Sequence, residues 1–211
     1  MWKNHKKTVI LTILLTLLPM VVGLILWNRL PERIAIHFGA DNQPNGWSSR
    51  GFTVFGIPAI MAVLEIVCII LTDADPKSRN IHAKSMMLVL WIMPLLSWVV
   101  LGMTYAFALG CKPDVEMICQ LILAAVLMVL GNYLPKTQQN YTFGIRVSWA
   151  LNSEDNWYHT HRFAGFVYTI GGAVCAVITL LHCPLWILIA LFLAVMLLPV
   201  LYSWRYYRKH E

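Results

Sequence analysis

Charge is what this sequence has least of. Only 12% of its 211 residues are Asp, Glu, Lys or Arg, about half the share found in soluble domains, and none lies between Arg162 and Arg205. Such a composition cannot dress a soluble globular surface. Common enzyme signatures are missing too: there is no G-x-S-x-G, no H-E-x-x-H, no Walker loop and no dinucleotide fingerprint. That leaves open an intramembrane enzyme, which would place isolated polar residues on separate helices. No long linker, repeat period or second soluble domain remains. The formal net charge of +6 does not signal nucleic acid, because the basic residues cluster between apolar runs instead of lining one soluble face. Anionic lipid head groups are the expected counter-charge, with no direct nucleic acid binding.

What is present is apolar length. Hydrophobic residues make up 59% of the chain and the mean hydropathy is +0.65. Breaks in charge mark spans at 8–28, at 51–72 (interrupted only by Glu65), at 84–112 and at 116–136. The uncharged stretch from Arg162 to Arg205 has room for two more, turning at His182-Cys183-Pro184. Each suits a helix that needs about 20 apolar residues to cross. The expected fold is therefore all-α, a polytopic membrane protein of six transmembrane helices. The run from Thr8 to Trp27 is too long for a signal-peptide core and no small-residue cleavage site follows it, so it reads as a retained signal anchor. Pro19, Pro58, Pro94 and Pro199 fall in or near spans, where neighbouring helices can re-satisfy the freed backbone groups. Twelve of the sixteen Lys and Arg would face one side: Lys3, Lys6, Lys7, Lys77, Arg79, Lys84, Lys136, Arg146, Arg162, Arg205, Arg208 and Lys209. Arg29, Arg33, Arg50 and Lys112 would face the other. The positive-inside rule then makes both termini cytoplasmic. The chain divides into residues 1–76, two helices around an outer polar loop at 28–50, and residues 77–211, four helices with a cytoplasmic loop at 135–162.

Within the outer loop, Ile34, Ile36 and Phe38 alternate with Ala35 and His37 in a strand-like period. "NQPNGW" offers turn chemistry through Pro44 and Gly46, so a small hairpin is expected. His37 and Asp41 are two ligand types without a third. In the 135–162 loop, Tyr141, Phe143, Trp149, Trp157 and Tyr158 are residues an interfacial belt would use. Asn152 or Ser153 can cap a helix whose first turn holds Glu154 and Asp155. His159-Thr160-His161 with Glu154 could suggest zinc, but H-x-H needs a third convergent ligand and its geometry suits a strand better than a helix, so neither metal nor cofactor is expected. Glu65 lies about 12 Å in from Asp73 at 1.5 Å per residue. A carboxylate at that depth is expensive unless paired or protonated, and Asn132, Arg146 and His161 are its reachable partners. Gly172-xxx-Ala176 permits close helix packing. Cys68, Cys119 and Cys175 fall in spans. Cys111 and Cys183 fall at outer turns, where a disulfide needs Cα atoms within about 7 Å.

The stretch "GNYLPKTQQNYTFGIRVSWALNSEDNWYHTHRFAG" resembles the signature of the SdpI family of bacterial membrane immunity proteins. Asn132, Pro135, Lys136, Asn140, Gly144, Ile145, Arg146, Trp149, Leu151, Trp157, Thr160, His161, Arg162 and Gly165 carry the likeness. Val147-Ser148 stand where the family usually has Thr-Pro. "LPERIAIHFGADNQPNGW" is similar to the small uncharacterised domain that often precedes the signature. The resemblance implies a multi-pass protein of the bacterial cell membrane that protects its host from a secreted membrane-active peptide toxin. It also implies a signalling role, in which a cytoplasmic transcriptional repressor is held at the membrane. Toxin would first meet the outer loop at Pro31, His37, Phe38, Asp41, Gly46 and Trp47. The partner-binding candidates are Glu65, Asn132, Lys136, Asn140, Gly144, Arg146, Trp149, Trp157, Thr160, His161 and Arg162. The alternatives are a small proton-coupled transporter, or an intramembrane enzyme using Glu65, Arg146 and His161.

Overall fold

The computed structural model describes residues 2–81 and 83–210, the side chains of 2–4 and 83 excepted. Lys3, counted in the charge asymmetry, therefore has its side chain outside the described residues. Six described helices are long and apolar enough to cross a membrane: His5–Ile25, Phe52–Asp73, Lys84–Ala108, Val115–Lys136, Glu154–Leu180 and Leu185–His210. The chain is a multi-pass membrane protein, with spans where the charge breaks put them. Two compact units form, Met1–Ala74 with Met86–Glu116, and Asp75–Ser85 with Met117–Glu211. The third span thus groups with the N-terminal pair, a division different from one at residue 76.

In the first unit the first span is two helices, α1 (Trp2–Leu17) and α2 (Pro19–Ile25). Pro19 has no N–H to give the Leu15 carbonyl, and its ring crowds the preceding turn. The freed Leu15 carbonyl, and two carbonyls near it, take donors from the helix of the third span. Trp98 Nε1 donates to the Leu15 carbonyl (3.1 Å), Ser97 Oγ to the Thr16 carbonyl (2.8 Å) and Tyr105 OH to the Pro19 carbonyl (3.2 Å). This is the repair by a neighbouring helix that prolines in spans require.

The expected hairpin is present, as β1 (Arg33–Phe38) antiparallel to β2 (Pro44–Ser49), with Arg33 opposite Ser49 and Phe38 opposite Pro44. Its turn is not where "NQPNGW" suggested. Gly39 N–H donates to the Gln43 carbonyl (2.9 Å) and Asn42 N–H to the Gly39 carbonyl (3.0 Å), with Asn42 at φ +56°. Asn tolerates that left-handed conformation, so Pro44 and Gly46 fall inside β2. A register shift between Ala35 and His37 also breaks the alternation: Ile34 and Ala35 are both buried and Ile36 is exposed, as a bulge requires. Asn42 fastens the hairpin tip. Its Nδ2 donates to Asp114 Oδ1 (2.8 Å) and its Oδ1 accepts the Glu116 N–H (2.9 Å). After a π-helical turn at Phe52–Gly56 come α3 (Ile57–Asp73) and then α4 (Ala83–Ala108). Leu30, Ile34, Val54, Leu101 and Tyr105 make one apolar cluster and Val9, Ile69 and Leu90 another.

The second unit contains most of α5 (Val115–Tyr133), the short α6 (Ser148–Asn152), α7 (Glu154–Leu180) and α8 (Leu185–His210). Lipid tails are as apolar as leucine, so helices gain from close approach more than from burial. Here α5 and α7 meet on small residues. A Cβ on Gly165 would sit 2.8 Å from the Gly131 carbonyl, and one on Gly172 would sit 2.7 Å from the Ala124 carbonyl. The spacing is seven residues on both helices. Gly172 is thus consumed inside the unit, and Gly171 lies against Val195 of α8. The α7–α8 turn places His182 at φ +52°. All five cysteines are free thiols, with Cys111 in the first unit and Cys183 in the second.

Candidate functional site

Glu65 is buried in α3 with 1% exposure. Its Oε2 accepts the Thr16 hydroxyl of α1 at 2.6 Å, and its Oε1 has no partner among the described residues. The sequence named Asn132, Arg146 and His161 as its reachable partners; within its own unit the structure adds Thr16. A threonine hydroxyl escapes a search for compensating charge.

Along the hairpin, Pro31, His37, Asp41 and Trp47 are exposed, while Phe38 and Gly46 are half-buried. Phe38 packs edge-on against Phe107 with centroids 4.9 Å apart. The His37 ring shares a hydrogen bond with Asn45 Oδ1. Arg50 donates from Nη1 to the carbonyls of Trp27 (2.9 Å) and Leu30 (3.0 Å) and lies over the Trp27 ring.

The 135–162 loop is an ordered polar structure built around buried side chains. Asn140 is fully buried. Its Oδ1 accepts the N–H groups of Thr142 (2.9 Å) and Phe143 (2.7 Å), and its Nδ2 donates to the carbonyls of Gln138 (2.8 Å) and Phe143 (3.1 Å). One amide therefore closes the turn 138–143. Gly144 follows at φ +132°, reserved for a residue without a side chain. A Cβ there would run into His161 Nε2 and, at 2.9 Å, the Trp157 ring. Ser153 caps α7, its Oγ accepting the Asn156 N–H at 3.2 Å, the cap the sequence announced.

Trp157 is 2% exposed and donates from Nε1 to the Thr137 carbonyl at 2.8 Å, so it is an interior strut, not part of an interfacial belt. His161 stacks on it with centroids 3.9 Å apart. His161 Nε2 accepts the Ile145 N–H (2.9 Å) and Nδ1 faces the Trp157 carbonyl (2.7 Å). An accepting Nε2 fixes the proton on Nδ1 and leaves no lone pair for a metal. Thr160 Oγ1 donates to Asn156 Oδ1 (2.9 Å), which also accepts Ser203 Oγ (2.7 Å). Ser203 Oγ in turn accepts Trp149 Nε1 (3.0 Å). Trp149 is thereby pinned to α8, and its ring stacks on Tyr207.

The charged members of the motif bond to local polar groups. Arg146 is exposed and donates from Nη1 to the Tyr141 carbonyl at 2.6 Å. Arg162 donates to Tyr158 OH (2.8 Å) and Lys136 to Asn132 Oδ1 (3.1 Å). Around the Trp157–His161 stack opens a pocket of about 570 Å³, edged by Asn80, Lys136, Gln138, Gln139, Glu154 and Tyr158. Its rim carries opposite charges and several amides, a surface suited to polar recognition. Among the described residues no cluster of three His, Cys, Asp or Glu forms that could hold a metal. Sequence reasoning missed Asp75, Asn80, Gln139, Asn156 and Ser203. Only their polarity inside or beside apolar runs could have drawn notice.

Comparison with known proteins fits this geometry. Residues 14–62 match a domain of unknown function, DUF1648. The chain is similar to Immunity protein SdpI of Bacillus subtilis (strain 168), 27% identical over 209 residues, covering 96% of this chain and 97% of that protein. No solved structure matches. Residues 136–203, from the end of the Leu134–Lys136 turn to Ser203 of the Trp149 hydrogen-bond chain, match the SdpI/YfhL protein family.

Proposed function

We propose that this chain is an immunity protein of a bacterial cell membrane, protecting its host from a secreted membrane-active peptide toxin. The supporting observation is a likeness to Immunity protein SdpI that runs through both units, taking in the hairpin and the signature loop together. The twelve-to-four division of Lys and Arg favours cytoplasmic termini. The hairpin then faces outward, offering Trp47, His37, Asp41 and Pro31 for first contact with toxin, and the signature loop faces inward. The pocket beside Lys136 and Glu154 is the proposed docking point for a cytoplasmic partner, a transcriptional repressor in the signalling version of this role. The test is survival: a toxin-sensitive bacterium expressing the chain should outlive one carrying empty vector, and equal killing would refute the immunity role. Cysteine labelling tests the orientation. A cysteine at Asn45 should react from outside and cysteines at Arg79 and Ser148 only after permeabilisation. Ala150, being fully buried, is unsuited to this.

Glu65 Oε1, which has no partner among the described residues, favours one second role, proton-coupled transport through α3. Glu65→Gln distinguishes the two, since a transporter loses its activity while an immunity protein keeps protecting. An enzyme using Arg146 and His161 has less support, because both His161 nitrogens are committed to local backbone groups.

A further inference from the structure

Trp157 and His161 hold the signature loop at Thr137 and Ile145, but the turn between those points is held from outside the signature. Asp75 lies two residues beyond the end of α3 and is 6% exposed. Its Oδ1 accepts the Lys77 N–H (2.7 Å), and its Oδ2 accepts both the Tyr141 N–H (2.8 Å) and the Thr142 hydroxyl (2.7 Å). The same short segment sends Lys77 Nζ to Gln139 Oε1 and Asn80 Nδ2 to the Gln139 carbonyl (2.8 Å). Gln139 Nε2 then reaches the carbonyls of Ala150 (3.2 Å) and Leu151 (2.8 Å) in α6. Asn140 can close the 138–143 turn without help, but its four bonds are all internal to that turn and fix nothing to the bundle.

We infer that Asp75 is the positioning residue of the signature loop: its carboxylate clamps Tyr141 and Thr142, so that Asn80 and Gln139 form one wall of the pocket. Two acceptor oxygens serve three donors, and no residue inside the signature supplies an equivalent. The clamp is also continuous in sequence with α3, the helix that carries Glu65. This inference builds on the assignment of the loop as the functional site, and the test separates the two.

Hydrogen exchange of the full chain in lipid nanodiscs reads the clamp. Asp75→Asn leaves one acceptor oxygen for three donors, so whichever way the amide turns, an NH2 faces either the Lys77 N–H or the Tyr141 N–H, and exchange at one of those two amides should rise by about tenfold or more while the amides of α7 stay protected. Asp75→Glu, keeping the carboxylate, should largely restore protection. Thr142→Val removes the hydroxyl contact alone and should give a smaller rise confined to the same turn, a usable readout if Asp75→Asn does not accumulate. Wild-type exchange in Asp75→Asn, or in Thr142→Val where only that variant is obtained, overturns the positioning role. Toxin survival of the same variants answers the other question: a loosened loop with full protection would overturn the loop as functional site while leaving the clamp standing.

Discussion

Gly144→Ala probes the site most sharply because two separate penalties meet there. At φ +132° a residue with a side chain is strained by about 1–3 kcal/mol. The new methyl would also strike His161 Nε2 and the Trp157 ring. Neither can swing aside cheaply. Trp157 is tied through Nε1 to the Thr137 carbonyl, and moving His161 breaks its bond to the Ile145 N–H, adding about 1–3 kcal/mol. The sum is about 2–6 kcal/mol, and at roughly 2–4 °C per kcal/mol for a chain this size the melting temperature should fall on the order of 10 °C. Two glycines calibrate the result. Gly110 has φ +93° but nothing within 4 Å of a built Cβ, so Gly110→Ala suffers strain alone. Gly102 lies in α4 with equally open space, so Gly102→Ala should be neutral or stabilising by up to about 1 kcal/mol. Thermal unfolding in detergent, followed by fluorescence-detected size exclusion, should rank the losses Gly144, then Gly110, then Gly102. Equal losses at Gly144 and Gly110 would refute the steric half of the reasoning, and a wild-type melting point for Gly144→Ala would refute all of it.

Trp149→Phe keeps the ring against Tyr207 but loses the donor to Ser203, and should destabilise by about 0.5–1.5 kcal/mol in a denaturant titration. Arg146→Lys should leave stability unchanged, because the exposed guanidinium reaches only the Tyr141 carbonyl; a drop in toxin survival at normal expression would then mean that the fork meets a partner's carboxylate or phosphate. Thr16→Val removes the one described donor to Glu65 and should cost roughly 0.6–2 kcal/mol by unfolding in mixed micelles. Glu65→Gln, which still offers Thr16 an acceptor, should cost less.

The six spans were legible because charges at their ends leave little choice of boundary. The Ser153 cap was legible because capping is local. The hairpin was visible as a hairpin, yet its register was not: Asn42 took the left-handed position that Gly46 seemed to offer, and one register shift reversed the facing of Ile36. Trp157 was misread because an indole in a polar loop suits an interface as well as an interior, and only the Thr137 carbonyl decides between them. The burial of Glu65 could be read from its span, but its partner lies 49 residues away in another helix. Asp75 was hidden by position. Two residues after Asp73, it looked like one more charge closing a span, and nothing local reveals that Tyr141 and Thr142 come to meet it.

The proline break in the first span bears on how the chain is made. As α1 and α2 enter the bilayer, the Leu15 carbonyl lacks the N–H that Pro19 cannot give, and the side chains that bond it and the Thr16 carbonyl are Trp98 and Ser97, more than eighty residues further along. Until α4 is threaded, the first hairpin of helices is an unfinished intermediate whose open Leu15 carbonyl needs water or the insertion machinery. A nascent chain stalled before residue 97 should therefore remain in contact with the translocon, and one extended past Trp98 should be released into lipid.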